Sequence, residues 1–242
     1  MSEQPEPRSE KAQRVRVRFA RGAGASSIGH LDVARAWEHA LREAGVQLSY
    51  SQGNKKQARI TVAAGLAQGV TSDGELLDVV LAEHVRPEEL AARVVTHLPE
   101  GLAALDAWEV GFALPSLPAS VRWADYEVDV AADAVSVRAA TERLMSAVTL
   151  PWEDTRGEKT RHYDLRALVL DLRADAYGAD ACDSAVRLSM RLRCDQQGVG
   201  RPDQVVKALG LPEASRVHRK RLILSEVSPA HDAWRRRGRY LA

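Results

Sequence analysis

The order of hydrophobic and polar positions predicts the same series of elements twice along this 242-residue chain. From Arg14 to Phe19, basic and apolar residues alternate strictly, which is the period of a strand with one buried face. From His30 to Ala44 the apolar residues recur at helical spacing, and Gly45 is a natural end for that helix. The remaining elements of the first half are predicted as strands at 58–63, 75–82 and 102–110 and a helix at 86–98.

The second half repeats this order. Its strands are predicted at 125–130, 161–173, 185–194 and 215–224, and its helices at 136–148 and 201–210. One helix in each half opens on an Arg-Pro-acid tripeptide, Arg86-Pro87-Glu88 and Arg201-Pro202-Asp203, where proline suits the first turn and an acid suits the helix dipole. The sequence therefore predicts an α+β fold made of two tandem ferredoxin-like (βαββαβ) sandwiches.

Composition shifts give the expected boundaries. Proline, glutamate and serine dominate the N-terminus, and two prolines fall between the halves. The predicted organisation is a flexible arm at 1–13, a first unit at 14–110, a linker at 111–121, a second unit at 122–226 and a basic tail at 227–242.

Charge and cysteine content narrow the function classes. The net charge is +1, yet eight Lys and Arg lie between Arg216 and Arg239, so this end either binds an acidic partner or only aids solubility. Two cysteines, Cys182 and Cys194, are too few for an iron–sulfur cluster, and no cofactor or metal is expected in this chain. No apolar run approaches the roughly 20 residues that span a bilayer, and a signal peptide's apolar segment is missing, so the expected compartment is the cytoplasm.

Two predicted strands carry arginine stripes. Because side chains alternate across a strand, each stripe projects from one face, and an open basic sheet face can hold an RNA backbone. Alternatively, the stripes pair with acids such as Asp78, Asp164 and Asp171, are merely solvated, or pack the two halves together. The aromatic pairs of an RNA-recognition module are missing. With two loop lysines, the predicted nucleic-acid ligands are Arg14, Arg16, Arg18, Lys55, Lys56, Arg187, Arg191 and Arg193.

Three polar constellations are candidate sites. His30 and Asp32 lie where a loop becomes a helix, a position suited to an anion or to acid–base work by the histidine, or to simple capping. The loop Tyr50-Ser51-Gln52-Gly53-Asn54 with its lysines is either a phosphate cradle or a plain turn, and it lacks the P-loop order. In Tyr163-Asp164-Leu165-Arg166, the acid and the arginine would share one face of a strand, most simply as a structural ion pair.

Taken in order, these motifs resemble one known family. The alternating first strand, His30-Leu31-Asp32, the Tyr50 loop, Pro99-Glu100-Gly101-Leu102, Tyr163-Asp164-Leu165-Arg166 and Arg201-Pro202-Asp203 are similar to the bacterial radical-SAM-associated protein family, a domain of unknown function. This resemblance implies a radical S-adenosylmethionine enzyme as partner, and that enzyme would carry the iron–sulfur cluster and S-adenosylmethionine.

The resemblance has departures. Gly29 stands where the family has serine, and the segment after Gly53 lacks the family's aromatic residue, two prolines and second histidine. A more distant similarity connects the chain to CRISPR repeat-RNA endoribonucleases, which also consist of tandem ferredoxin-like domains.

The resulting hypothesis is a non-catalytic accessory protein of a radical SAM enzyme, acting as an RNA-binding or substrate-presenting module. The alternatives are a metal-independent ribonuclease that uses His30 and a purely structural, protein-binding adaptor. The lack of a complete catalytic set in the sequence favours a protein without its own activity.

Overall fold

The computed structural model describes residues 10–52, 54–157, 159–177 and 185–225. Most of the predicted flexible arm, Gly53, Cys182 and the predicted basic tail lie outside these residues. The described chain divides into two compact units. The first runs to Val121 and includes Leu224 and Ser225, and the second runs from Arg122 to Ile223.

The first unit contains four strands and three α-helices among the described residues. Its elements are β1 (Gln13–Arg21), α1 (His30–Glu43), β2 (Ile60–Val62), β3 (Thr71–Leu81), α2 (Pro87–Val94), β4 (Leu102–Glu109) and the short α3 (Leu117–Ser120). Helix α2 begins at Pro87, within one residue of its predicted start, and has two glutamates in its first turn. Gly45 follows α1 with φ at 73°, the left-handed conformation that commonly ends a helix.

Strand β1 is the centre of the first sheet. It pairs antiparallel with β3 on one side and with β4 on the other, and β2 pairs antiparallel with β3. The apolar residues of β1 face α1, where the rings of Phe19 and Trp37 meet edge to face at 5.4 Å. Trp37 and Leu41 from α1 and Leu90 from α2 are fully buried in this core.

The second unit has a similar order with two additions, a hairpin and one further short strand. Its elements are β5 (Val121–Ala131), α4 (Ala134–Ser146), β6 (Pro151–Arg156), β7 (Lys159–Asp164), β8 (Val169–Tyr177), β9 (Ala185–Asp195), β10 (Gly198–Val199), α5 (Pro202–Ala208) and β11 (Arg216–Leu224). Strand β5 lies between β9 and β11. Strands β8 and β10 both pair with β9, whereas β6 and β7 form a separate hairpin.

The predicted α+β class is confirmed, but two local predictions were wrong. The strand expected at 161–173 is two strands, because the Asp164 carboxylate accepts hydrogen bonds from the backbone N–H groups of Leu150 and Arg166 and turns the chain there. Helix α4 begins at Ala134 rather than at the predicted residue 136, since Asp133 caps it and its Oδ2 accepts the Ser136 N–H at 2.8 Å. Local side-chain acceptors decided both boundaries.

Candidate functional site

The arginine stripe of β1 ends in a buried ion-pair cluster. Arg16 lies opposite Asp78 in the register of β1 and β3. Asp78 accepts a hydrogen bond from Arg14 Nε at 2.9 Å and from Arg16 Nε at 2.7 Å. Arg14 is 8% exposed, and Arg16 and Asp78 are each 4% exposed. Both guanidinium groups are therefore engaged by one shared carboxylate inside the unit instead of being presented to a phosphate.

Residues of the predicted linker, 111–121, pack over this ion-pair cluster. Arg14 Nη1 donates to the carbonyl of Leu114 at 3.2 Å, and its Nη2 donates to that of Pro115 at 3.0 Å. Leu117, in α3, is fully buried. The sheet face that the sequence suggested would be open is closed at these positions, because a buried guanidinium needs acceptors and the backbone carbonyls provide them. Arg18, the third residue of the stripe, is exposed.

In the second unit, the stripe faces a row of acids on the neighbouring strand. Arg187 and Arg191 lie opposite Asp129 and Asp125 in the register of β9 and β5. The Arg187–Asp129 pair has two hydrogen bonds of 2.6 and 2.9 Å, and the Arg191–Asp125 pair has two of 2.7 and 2.9 Å. Arg193 bonds to Asp195 at 3.0 Å. Bidentate arginine–carboxylate pairs of this kind hold both side chains in a fixed geometry.

Further cations surround these pairs. Lys220 and Arg221 of β11 reach Glu127 at 3.5 Å and Asp125 at 2.7 Å, and Arg173 of β8 lies 3.2 Å from Asp171. The side chains of Arg173 and Arg221 are 73% and 61% exposed, against 24% for Arg187. We call this set the charged face; it comprises Asp125, Glu127, Asp129, Asp171, Arg173, Asp175, Arg187, Arg191, Arg193, Arg216, Lys220 and Arg221. Its inner arginines are paired, and its outer cations are accessible.

The arginines also set the pKa values of the inner acids. The hydrogen bond from Arg187 lowers the pKa of Asp129 below its ordinary value and outweighs the opposing effect of burial. For Asp125, burial acts to raise the pKa. The hydrogen bonds from Arg191 and Arg221 together outweigh this effect, so the pKa of Asp125 is also below its ordinary value. Both carboxylates are therefore charged at neutral pH, and the face is a fixed lattice of opposite charges.

His30 is the first residue of α1 and is exposed. It borders a small cleft that Arg21 and Glu75, both 2% exposed, also line. The cleft has about 10 Å³ of free volume, which is room for about one water molecule. Asp32 pairs on the surface with Arg35 at 2.8 Å. As described, the cleft admits water but not a nucleotide.

Arg21 holds the two loops beside that cleft together. Its Nε donates to the carbonyl of Ala25 at 3.0 Å, and its Nη1 donates to that of Leu66 at 3.2 Å. Its Nη2 donates to the carbonyls of Ser26 and Ala67. A fully buried arginine that bonds mainly to backbone carbonyls serves to fix loop geometry.

The Tyr50 motif lies away from His30. Burial raises the pKa of Tyr50, and the charge of Glu38 near the end of α1 raises it further. From His30 to Glu38 the helix rises by roughly 12 Å, so the two motifs do not form one site. Ser51 closes the following loop, donating its N–H to Gln57 and accepting from the Gln57 N–H through Oγ. Asn54, Lys55 and Lys56 are exposed.

The third constellation is mainly structural. Asp164 is the last residue of β7, and Arg166 lies in the turn that follows, so they do not share one strand face as predicted. Arg166 donates to the carbonyls of Val169 and Met145 at 2.6 and 3.2 Å. Tyr163 donates its hydroxyl to Gln204 Oε1 at 2.6 Å. Arg201, which immediately precedes α5, donates a hydrogen bond of 2.6 Å to Asp203 in the first turn of that helix.

Several residues of these sites were not anticipated. The alternation Asp125, Glu127, Asp129 was visible in the sequence. The arginines that pair with these acids lie about 60 residues later in the chain and are brought opposite them only by the strand register. Trp152 and Lys207 were also missed, although Lys207 Nζ lies 6.0 Å from the centroid of the Trp152 ring. No local pattern signals a contact between a polar hairpin and a later helix.

Comparison with known families gives one clear match. Residues 14–202 match the family described as an uncharacterized protein conserved in bacteria (DUF2344). The chain belongs to this family. For DUF2344 the description states neither an activity nor a partner, so the association with radical SAM enzymes and the likeness to CRISPR endoribonucleases stay predictions.

Comparison with solved structures and curated proteins adds little for this DUF2344 chain. It is similar to a chain in the crystal structure of a Cbf5-Nop10-Gar1 complex, with 10% sequence identity and a TM-score of 0.43. The alignment covers 85% of this chain and 49% of that one, so this chain spans about half the length of the chain that it matches there. No curated protein matches it.

Two features are absent from the described residues. None of their helices is long and apolar enough to cross a membrane. No group of three or more His, Cys, Asp or Glu side chains within the described ranges is arranged to hold a metal ion.

Proposed function

We propose that this chain is a non-catalytic accessory protein that contacts RNA through the charged face of its second unit and works beside a radical SAM enzyme. The observation that carries the proposal is the accessible outer row of cations on that face. Those outer cations flank a lattice of fixed pairs, so a phosphate backbone can bind them without disrupting the inner arginines.

The proposal includes two tandem ferredoxin-like units. Strand order supports it: in each unit the first strand lies between the third and the fourth, and the second strand flanks the third. In the second unit this count runs β5, β8, β9 and β11, with the β6–β7 hairpin as an insertion. The strand pairs β1–β3, β1–β4, β5–β9 and β8–β9 are all antiparallel, as a βαββαβ sandwich requires.

Charge balance supports RNA as the ligand of the charged face. Among its side chains, seven are arginine or lysine and five are carboxylates, and Asp195, the partner of Arg193, adds a sixth carboxylate at its edge. Contact through few exposed cations gives modest affinity that falls with salt and depends little on sequence. None of the twelve described residues that make up the charged face is aromatic, so backbone contact is the expected mode.

The first test removes outer cations of the charged face. Changing Arg173 and Lys220 together to alanine should weaken binding of a labelled RNA hairpin several-fold, because two phosphate contacts are lost. The matched control is Arg35→Ala, which removes an arginine of similar exposure, 74%, from a surface pair in the first unit. Fluorescence anisotropy at fixed low salt measures both. Equal affinities for the double variant and the control would refute the charged face as the RNA site.

The partner enzyme is proposed from the order of sequence motifs. A tagged full-length chain should retain a radical SAM enzyme from its native lysate, detected by mass spectrometry. Retention that survives nuclease treatment would indicate a direct protein contact, and loss on treatment would indicate a contact through RNA. Absence of any radical SAM enzyme under both conditions would contradict the partnership.

A further inference from the structure

The β6–β7 hairpin is a separate arm of the second unit. Its strands pair only with each other in the described chain, in the register Trp152 with Tyr163 and Asp154 with Arg161. Lys159 and Thr160 at its far end are exposed. A two-stranded ribbon of this length is marginally stable alone, so its position depends on what it packs against.

Helix α5 holds the base of the arm. Tyr163 donates its hydroxyl to Gln204 at 2.6 Å, and Gln204 is 5% exposed. Lys207 lies over the Trp152 ring, and Arg201 Nη1 is 3.9 Å from Asp154 Oδ2. These contacts fix Trp152 and Tyr163 next to a lysine on one face of the arm.

Beside these aromatic residues, the arm has an open depression. Trp152, Tyr163, His162 and Pro151 line it together with Thr149, Glu153 and Asp164. Asp164 is already engaged by two backbone N–H groups, and Glu153 lies 3.8 Å from the His162 ring nitrogen Nδ1. Aromatic residues therefore border the depression. Its two carboxylates, Glu153 and Asp164, each already contact another group of the chain.

Cations continue along the arm from this depression. Lys159 and Arg161 are exposed, and within the described ranges neither forms an ion pair with a carboxylate. Alternate residues on one strand are about 7 Å apart, so Tyr163, Arg161 and Lys159 form an evenly spaced row. Aromatic rings followed by spaced cations are the features that bind unpaired nucleotides, through base stacking and phosphate contact.

We propose that this arm binds single-stranded RNA, with a base stacked in the depression beside Trp152 and phosphates held by Arg161, Lys159 and Lys207. This inference rests on the proposed function and names its substrate class: RNA with an unpaired segment next to the portion held by the charged face. Stacking needs an unstacked base, which a continuous duplex does not offer.

The test compares two labelled probes, an oligouridylate and a blunt-ended RNA duplex, against the full chain. Replacing Lys159 and Arg161 by glutamine should lower affinity for the oligouridylate roughly tenfold and leave duplex affinity unchanged. Trp152→Leu should do the same, whereas Trp152→Phe, which keeps a stacking ring, should retain most of the affinity. Because Lys159 and Arg161 are exposed, their replacement by glutamine should leave the fold intact. This double variant therefore tests the proposal even if Trp152→Leu does not fold.

The outcomes separate this inference from the proposed function. If the arm variants bind both probes like the unaltered chain while the Arg173 and Lys220 double variant is weakened, the arm proposal is refuted and the charged face stands. If the unaltered chain binds neither probe at low salt, both proposals fail.

Discussion

Changing Asp78 to alanine is expected to lower the free energy of unfolding of the first unit by about 3–5 kcal/mol. The substitution leaves Arg14 and Arg16, which are 8% and 4% exposed, as two buried cations without their shared carboxylate. The carbonyls of residues 114 and 115 still accept from Arg14, but they carry no compensating charge. Urea denaturation followed by circular dichroism measures the loss.

Asp32→Ala is the matched control for Asp78→Ala. Asp32 also pairs with an arginine, but both side chains are more than half exposed, so the expected cost is about 0–1 kcal/mol. If the two variants lost similar stability, the Asp78 cluster would not be the buried charge centre described above.

Gly101→Ala is the second change with a large expected effect. Gly101 has φ at 87°, and a Cβ there would lie 2.4 Å from the backbone nitrogen of Ala25. The Gly101 carbonyl also accepts the Gly22 N–H at 2.7 Å, so the two chain segments cannot separate without losing that bond. Left-handed strain and steric overlap together predict a cost of about 2–5 kcal/mol.

Gly69→Ala isolates the clash from the backbone strain. Gly69 has φ at 79°, but nothing lies within 4 Å of a Cβ placed there, so only the strain of about 1–2 kcal/mol applies. Thermal unfolding of both variants gives the comparison. A Gly101→Ala protein that is as stable as Gly69→Ala would show that the close approach to Ala25 is absent.

The sequence predicted elements with strong periodicity better than the contacts among them. The alternation of β1 and the Arg-Pro-acid helix starts located β1, α2 and α5, because these signals are local. The partner of Arg16 could be suggested only as one of several acids, and the partners of Arg187 and Arg191 were not named. Strand register decides these pairs, and it joins residues about 60 positions apart.

The arm and the segment around Leu117 show two other structural features that the sequence could not predict. Strands β6 and β7 are rich in charged and polar residues, so they carry no apolar alternation that would predict a hairpin. Pro115 and Pro118 favoured a linker, since proline signals a turn but says nothing about burial. Leu117, between them, is fully buried, and the neighbouring carbonyls serve the buried Arg14.

The salt dependence of RNA binding tests the central claim most directly. For the full chain with a labelled RNA hairpin, the logarithm of the association constant should fall linearly with the logarithm of salt concentration. Changing Arg173 and Lys220 to alanine should make that slope shallower by about 2, one for each phosphate contact removed, while Arg35→Ala should leave it unchanged. A slope that is the same in all three proteins would contradict RNA contact through the charged face.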